Sequence, residues 1–126
     1  MTTHTLFCLK TLLDDEAQQF LCGMFNSFVA NYLIRLRVST HVTVAVIDRL
    51  PLPRPPRGGR AFSEMAALAR MLTADPGDHE SSARHQALAA GIYGLTVPDF
   101  EHILTTFPLV PPSAREAARM AFVRTL

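Results

Sequence analysis

Six residues near the middle of the chain have the side chains best suited to chemistry: Arg35, Arg37, Ser39, Thr40, His41 and Thr43. Two guanidiniums, three hydroxyls and an imidazole in nine positions form a donor set for nucleic acid. Arginine reaches phosphate or the guanine edge, and hydroxyls reach phosphate. The same residues also have a structural reading. Cations at a helix C-terminus complement the negative end of its dipole, and a polar turn follows. Arg35 and Arg37 are two apart, so on a helix they diverge by about 200°. They share a target only if the helix frays before Arg37, which β-branched Val38 and the Ser39–Thr40 pair favour. The formal net charge is +1, which supplies no long-range attraction for DNA. Any such contact must be local.

The other candidate sites carry less. His79, Glu80 and His85 resemble a zinc-protease helix, but that motif places its histidines four apart on one face. Here they are six apart and point in different directions, as solvated helix residues would. His102 falls at the edge of an apolar stripe. Cys8 and Cys22 are the only cysteines, short of the roughly four close ligands of a structural zinc site. Tyr93-Gly94-Leu95-Thr96 joins two short helices, as in a helix-turn-helix. A DNA reader would aim the second helix's N-terminus into the major groove. Asp99 and Glu101 would then face phosphate, which favours a packed helical hairpin instead. No Ser-His-Asp arrangement, P-loop or dinucleotide glycine motif occurs in the sequence. The sequence therefore assigns no catalytic, cofactor-binding or metal-ligating residue.

The elements that must position these residues follow from periodicity. Leu6-Phe7-Cys8-Leu9 reads as a short strand needing partners on both sides. It suggests a chain that starts inside a longer protein or at an internal start codon. Asp14-Asp15-Glu16 opens a helix by complementing its positive end. Apolar residues at Phe20, Leu21, Met24, Phe25, Phe28, Val29, Tyr32, Leu33 and Leu36 extend that helix over residues 15–37 as one broad face. Gly23, Ser27 and Asn31 form a small, partly polar row beside it, where another element can approach closely. Residues 38–47, with Val42, Val44 and Val46 at period two, read as a strand. Prolines 51, 53, 55 and 56 end it, and residues 54–61 form a flexible Pro/Gly/Arg linker.

The second part is helical. Residues 62–73 place Met65, Leu68, Ala69 and Leu72 on one face. Asp75-Pro76-Gly77-Asp78 is a turn. A helix over 80–93 stops at Gly94, a natural C-terminal cap. Thr96 caps the next, with Pro98 in its first turn and Asp99 three residues on. Phe100, Ile103, Leu104 and Phe107 form its stripe, and Ser113 caps a last helix. The expected fold is mainly α within an α+β class. A strand–helix–strand segment (1–53) and a linker (54–61) precede a helical C-terminal segment (62–126).

Hydrophobic residues make up 48% of the 126 and charged residues 18%, enough for a core and too few charges for wholesale disorder. No apolar run approaches the ~20 residues a membrane helix needs, and the N-terminus has no secretory pattern. The expectation is a cytoplasmic chain with reduced thiols.

The segment FNSFVANYLIRLRVSTHVTVAVIDRLPLPRP resembles the target-recognition end of type IIG-like adenine-specific DNA methyltransferases from restriction-modification systems. There an Asn-Ser helix leads to a strand and a Leu-Pro-x-Pro exit. Thr5 to Leu9 resembles the preceding strand, and ALAAGIYGLTVPDFEHILTTFPLV the closing Tyr-Gly-Leu helix pair and Phe-Pro exit. The resemblance spans residues 3–123. Its matched positions are Asn26 and Ser27, Leu50 to Pro53, and Tyr93 to Leu95, none of them catalytic. Family members use S-adenosylmethionine and an Asn-Pro-Pro-Tyr loop that holds a flipped adenine. Neither that loop nor the cofactor's glycine motif is present. The resemblance implies a non-catalytic C-terminal module that touches DNA weakly and packs against a methyltransferase catalytic domain or a second copy. The alternative is a stand-alone helical interaction protein, an adaptor or antitoxin-like regulator.

Overall fold

Strong helix starts and stops divide the chain into short helices. The computed structural model describes residues 14–37 and 52–126. They form α1 (Asp15–Phe25), α2 (Phe28–Arg37), α3 (Arg60–Ala74), α4 (His79–Ile92), α5 (Val97–Thr105) and α6 (Pro112–Arg124). Asp14 caps α1 by accepting from the Ala17 amide at 2.9 Å, and Asp15 and Glu16 occupy the first turn. Asp78 caps α4 through the Ser81 amide. Gly94 ends α4 with φ +73°, a conformation that costs glycine little. Leu95 N–H donates to Ala90 O at 3.1 Å and Gly94 N–H to Gly91 O at 3.0 Å, the pair of bonds that closes a Schellman motif. Thr96 and Asp99 then make a reciprocal capping box on α5. The last helix starts one residue before the expected cap: Pro112 takes the first turn, where a missing N–H costs nothing.

α4 is the central helix because its alanines let neighbours approach from both sides. Ala89 packs with Phe20, Met24, Phe62 and Met65 from α1 and α3. Ala87 and Ala90 pack with Val29, Phe100, Ile103, Leu104 and Phe122 from α2, α5 and α6. The Phe20 and Phe62 rings stack at 4.5 Å, and Phe100 meets Phe122 edge-on at 5.3 Å. Each such ring, once buried, contributes about 1.5–3 kcal/mol. Phe25, Ala30 and Ile34 close a smaller cluster with Leu52. The extended stretch before α3 is tied down: Arg57 pairs with Asp14 and lies over the Phe62 ring.

Two expectations are corrected. The α+β class gives way to an all-helical one: among the described residues every element is a helix and there is no strand or sheet. These described helices bury their apolar faces against one another. The expected strands at 6–9 and 38–47 lie outside the described residues. The second correction concerns the long helix over 15–37, which breaks at Asn26 and Ser27 into α1 and α2.

Candidate functional site

The break between α1 and α2 gathers the densest set of polar contacts in the interior. In an unbroken helix the Ser27 amide would donate to Gly23 O, and the Phe28 amide to Met24 O. Here the Ser27 amide donates to Met24 O instead, at 3.1 Å. That leaves a carbonyl at Gly23 and an amide at Phe28 to be satisfied from elsewhere. α4 supplies both partners. His85 Nε2 lies 2.6 Å from Gly23 O, and Gln86 Oε1 accepts from the Phe28 amide at 2.8 Å. Gln86 Nε2 in turn sits 3.4 Å from His85 Nδ1, linking the two.

Local side chains complete the junction. Asn26 Nδ2 donates to Cys22 O at 2.7 Å. Ser27 Oγ donates to Met24 O and accepts from the Ala30 amide, which makes it the N-cap of α2. Asn31 Nδ2 donates to Phe25 O and Ser27 O. The small row noted in the sequence also lets α3 come close. A Cβ on Gly23 would stand 2.5 Å from Met65 Sδ, and Ser27 is wholly buried.

His85 was expected to be solvated; it is 4% exposed. Burial pushes its pKa below the ordinary value and outweighs the Gly23 carbonyl, which favours the charged ring. A carbonyl can only accept, so Nε2 carries the proton and Nδ1 is the acceptor toward Gln86. His79 is exposed at the start of α4 and does not join His85. Among the described residues no group of three or more His, Cys, Asp or Glu is placed to hold a metal ion. Nor is any of their helices long and apolar enough to cross a membrane.

The sequence-selected cluster is placed in part. Arg35 donates through Nη1 and Nη2 to Thr106 O at 3.0 and 3.2 Å. Its guanidinium lies 4.1 Å from the centre of the Phe107 ring, which packs on Phe28 at 4.9 Å. Thr106 is the C-cap of α5, so Arg35 complements the negative end of that helix. Arg37 is the last residue of α2. Ser39, Thr40, His41 and Thr43 lie outside the described residues. At the Tyr93–Thr96 turn, which joins α4 to α5, Tyr93 is half-buried, which pushes its hydroxyl up to about 12, and Phe100 is fully buried. His102 is exposed, edge-on to Tyr32 at 6.1 Å.

The sequence missed His85 and Gln86, whose partners are 62 and 58 residues away. The one local signal was Asn26-Ser27, a C-cap and N-cap pair in mid-pattern. Among known proteins, no family model, curated protein or solved structure matches this chain.

Proposed function

We propose that this chain is a non-catalytic helical module from the target-recognition end of a restriction-modification adenine DNA methyltransferase, packing against the catalytic domain. The observation that supports the reading is where its resembling motifs fall. Asn26-Ser27 shapes the α1–α2 junction, and Tyr93-Gly94-Leu95 shapes the α4–α5 junction. Motifs spent on helix junctions suit a packing module. S-adenosylmethionine would belong to the catalytic domain, since its binding motifs are absent from this sequence. Arg35 is already engaged by Thr106 and Phe107, so DNA contact falls mainly to residues 37–43. With so few phosphate contacts, binding is weak and falls steeply with salt.

Two assays test the proposal. Pure protein incubated with labelled S-adenosylmethionine and mixed duplex DNA transfers no label; transfer above a blank overturns the reading. In a low-salt duplex titration, Arg35→Ala with Arg37→Ala weakens binding and flattens the salt slope; unchanged affinity and slope remove the DNA-binding part.

A stand-alone interaction protein is the second reading, favoured by one observation. Phe100, Phe122, Met24 and Met65 are fully buried by this chain's own helices. Sedimentation with denaturant unfolding separates the two. A monodisperse monomer with one cooperative transition supports the stand-alone protein, and self-association supports the module.

A further inference from the structure

Hydrogen-bond direction across the α1–α2 break is set by the charge of a single ring. Gly23 O accepts from His85 Nε2–H, His85 Nδ1 accepts from Gln86 Nε2–H, and Gln86 Oε1 accepts from Phe28 N–H. Each link has a donor facing an acceptor only while His85 is neutral. A second ring proton puts a donor at Nδ1 against the donor Nε2 of Gln86. Turning the Gln86 amide relieves that conflict and creates another, because its NH₂ group then faces the Phe28 amide. Neither orientation satisfies both neighbours, and all these groups are buried or half-buried, where an unmade hydrogen bond is costly.

We propose that His85 and Gln86 form an acid-sensitive clamp that holds α2 to α1 and α4 at neutral pH and releases the start of α2 when His85 takes up a proton.

The packing favours a local response. Among the described residues, α1 is buried against α3, and α4 against α6, far more extensively than α2 is against any described neighbour. α2 therefore loosens while the rest of the bundle stays folded. Among the described residues, burial and the Gly23 carbonyl are the influences on the ring. The neighbouring elements carry their charges elsewhere. In α1, Asp15 pairs with Arg70 of α3, and Glu16 lies in the first turn. Glu64 of α3 pairs with Arg60 and Arg84, and Arg35 of α2 with Thr106. In α6, Arg119 pairs with Glu101 and Glu116, and Arg115 donates to Val110 O. Glu80 is exposed in the first turn of α4. The titratable Cys22 is held near Asn26, and Tyr93 stays protonated well above neutrality.

The sign follows from the lowered pKa. The unfolded or opened ring binds a proton more readily than the clamped one. The clamp's contribution is therefore full above the ordinary value of 6.5 and is lost as pH falls toward the folded-state value. The carboxylates with lowered pKa, Asp14, Asp78 and Glu116, titrate below their ordinary 3.8–4.5, outside this window.

Site-resolved amide exchange of the full chain between pH 7 and pH 5, corrected for intrinsic exchange, tests the clamp. Protection of the Phe28 amide is expected to fall at least tenfold while that of α3 and α4 is kept. His85→Gln retains an N–H for Gly23 O without titrating, so its Phe28 protection is expected to stay flat. His79 and His102 are unchanged in that variant. Flat protection in the native chain, or an equal fall in the variant, overturns the clamp. Imidazole nitrogen spectra of the native chain give an independent reading should the variant not fold. A neutral Nε2–H ring at pH 7, charged in step with the loss of Phe28 protection, supports it. An Nδ1–H ring at pH 7, or charging without that loss, overturns it.

Discussion

The α1–α2 and α4–α5 junctions solve the same problem with different materials. Between α4 and α5 the capping bonds at the helix ends reach no farther than five positions: Leu95 to Ala90, Gly94 to Gly91, and Thr96 with Asp99. Between α1 and α2 the groups left open at Gly23 and Phe28 are met by His85 and Gln86, 62 and 58 residues away. The first junction is a local device, built from bonds between near neighbours in sequence. The second exists only when α4 is docked, so it joins the stability of the α1–α2 pair to the packing of the whole bundle.

That contrast yields an ordered set of expectations. Removing the ring with His85→Ala leaves a cavity and an unsatisfied Gly23 carbonyl. The expected loss is about 3 kcal/mol, read as a shifted denaturant midpoint. A loss as small as that of a surface substitution would mean that water replaces the ring. Gly94→Ala tests the local junction. Its φ is +73° and nothing lies within 4 Å of the added Cβ, so the cost is conformational alone, about 1–2 kcal/mol. Exchange rates in α1 and α2 should stay unaffected; coupling to them would break the distinction between the junctions. Arg35→Ala gives the smallest effect. The side chain is exposed and its cation–π contact with Phe107 is worth under about 1 kcal/mol. A larger loss in thermal unfolding would make Arg35 a structural anchor of α2.

The same contrast explains what could be read from the sequence. Gly94, Thr96, Pro98 and Asp99 are local signals with fixed spacing, so the α4–α5 junction was legible residue by residue. So were the acidic start of α1 at Asp14–Glu16 and the turn at Asp75–Asp78. The break at Asn26-Ser27 was hidden because the apolar spacing runs through it: Met24, Phe25, Phe28 and Val29 keep a helical period on both sides. The row Gly23, Ser27 and Asn31 marked a site of close approach, but which helix approaches is long-range information. His85 looked solvated because it lies six positions from His79 in a polar stretch. Its burial follows from contacts far along the chain, such as that with Gly23 O, not from its neighbours in sequence. The strands expected at 6–9 and 38–47 lie outside the described residues, every element of which is a helix. For the candidate DNA cluster, the spacing identified two arginines; what occupies Arg35 is a helix terminus 71 residues away.

The central claim is that α4, not the α1–α2 segment itself, satisfies the broken helix. Gln86→Leu tests it most directly, because the change keeps side-chain bulk and removes the acceptor for the Phe28 amide. Measured by amide exchange at pH 7, Phe28 protection should collapse and global stability should fall by about 2 kcal/mol, while the Ala30 amide, held by Ser27 Oγ, stays protected. Unchanged protection at Phe28 in a folded Gln86→Leu chain would contradict the account and assign the break to Asn26 and Ser27 alone.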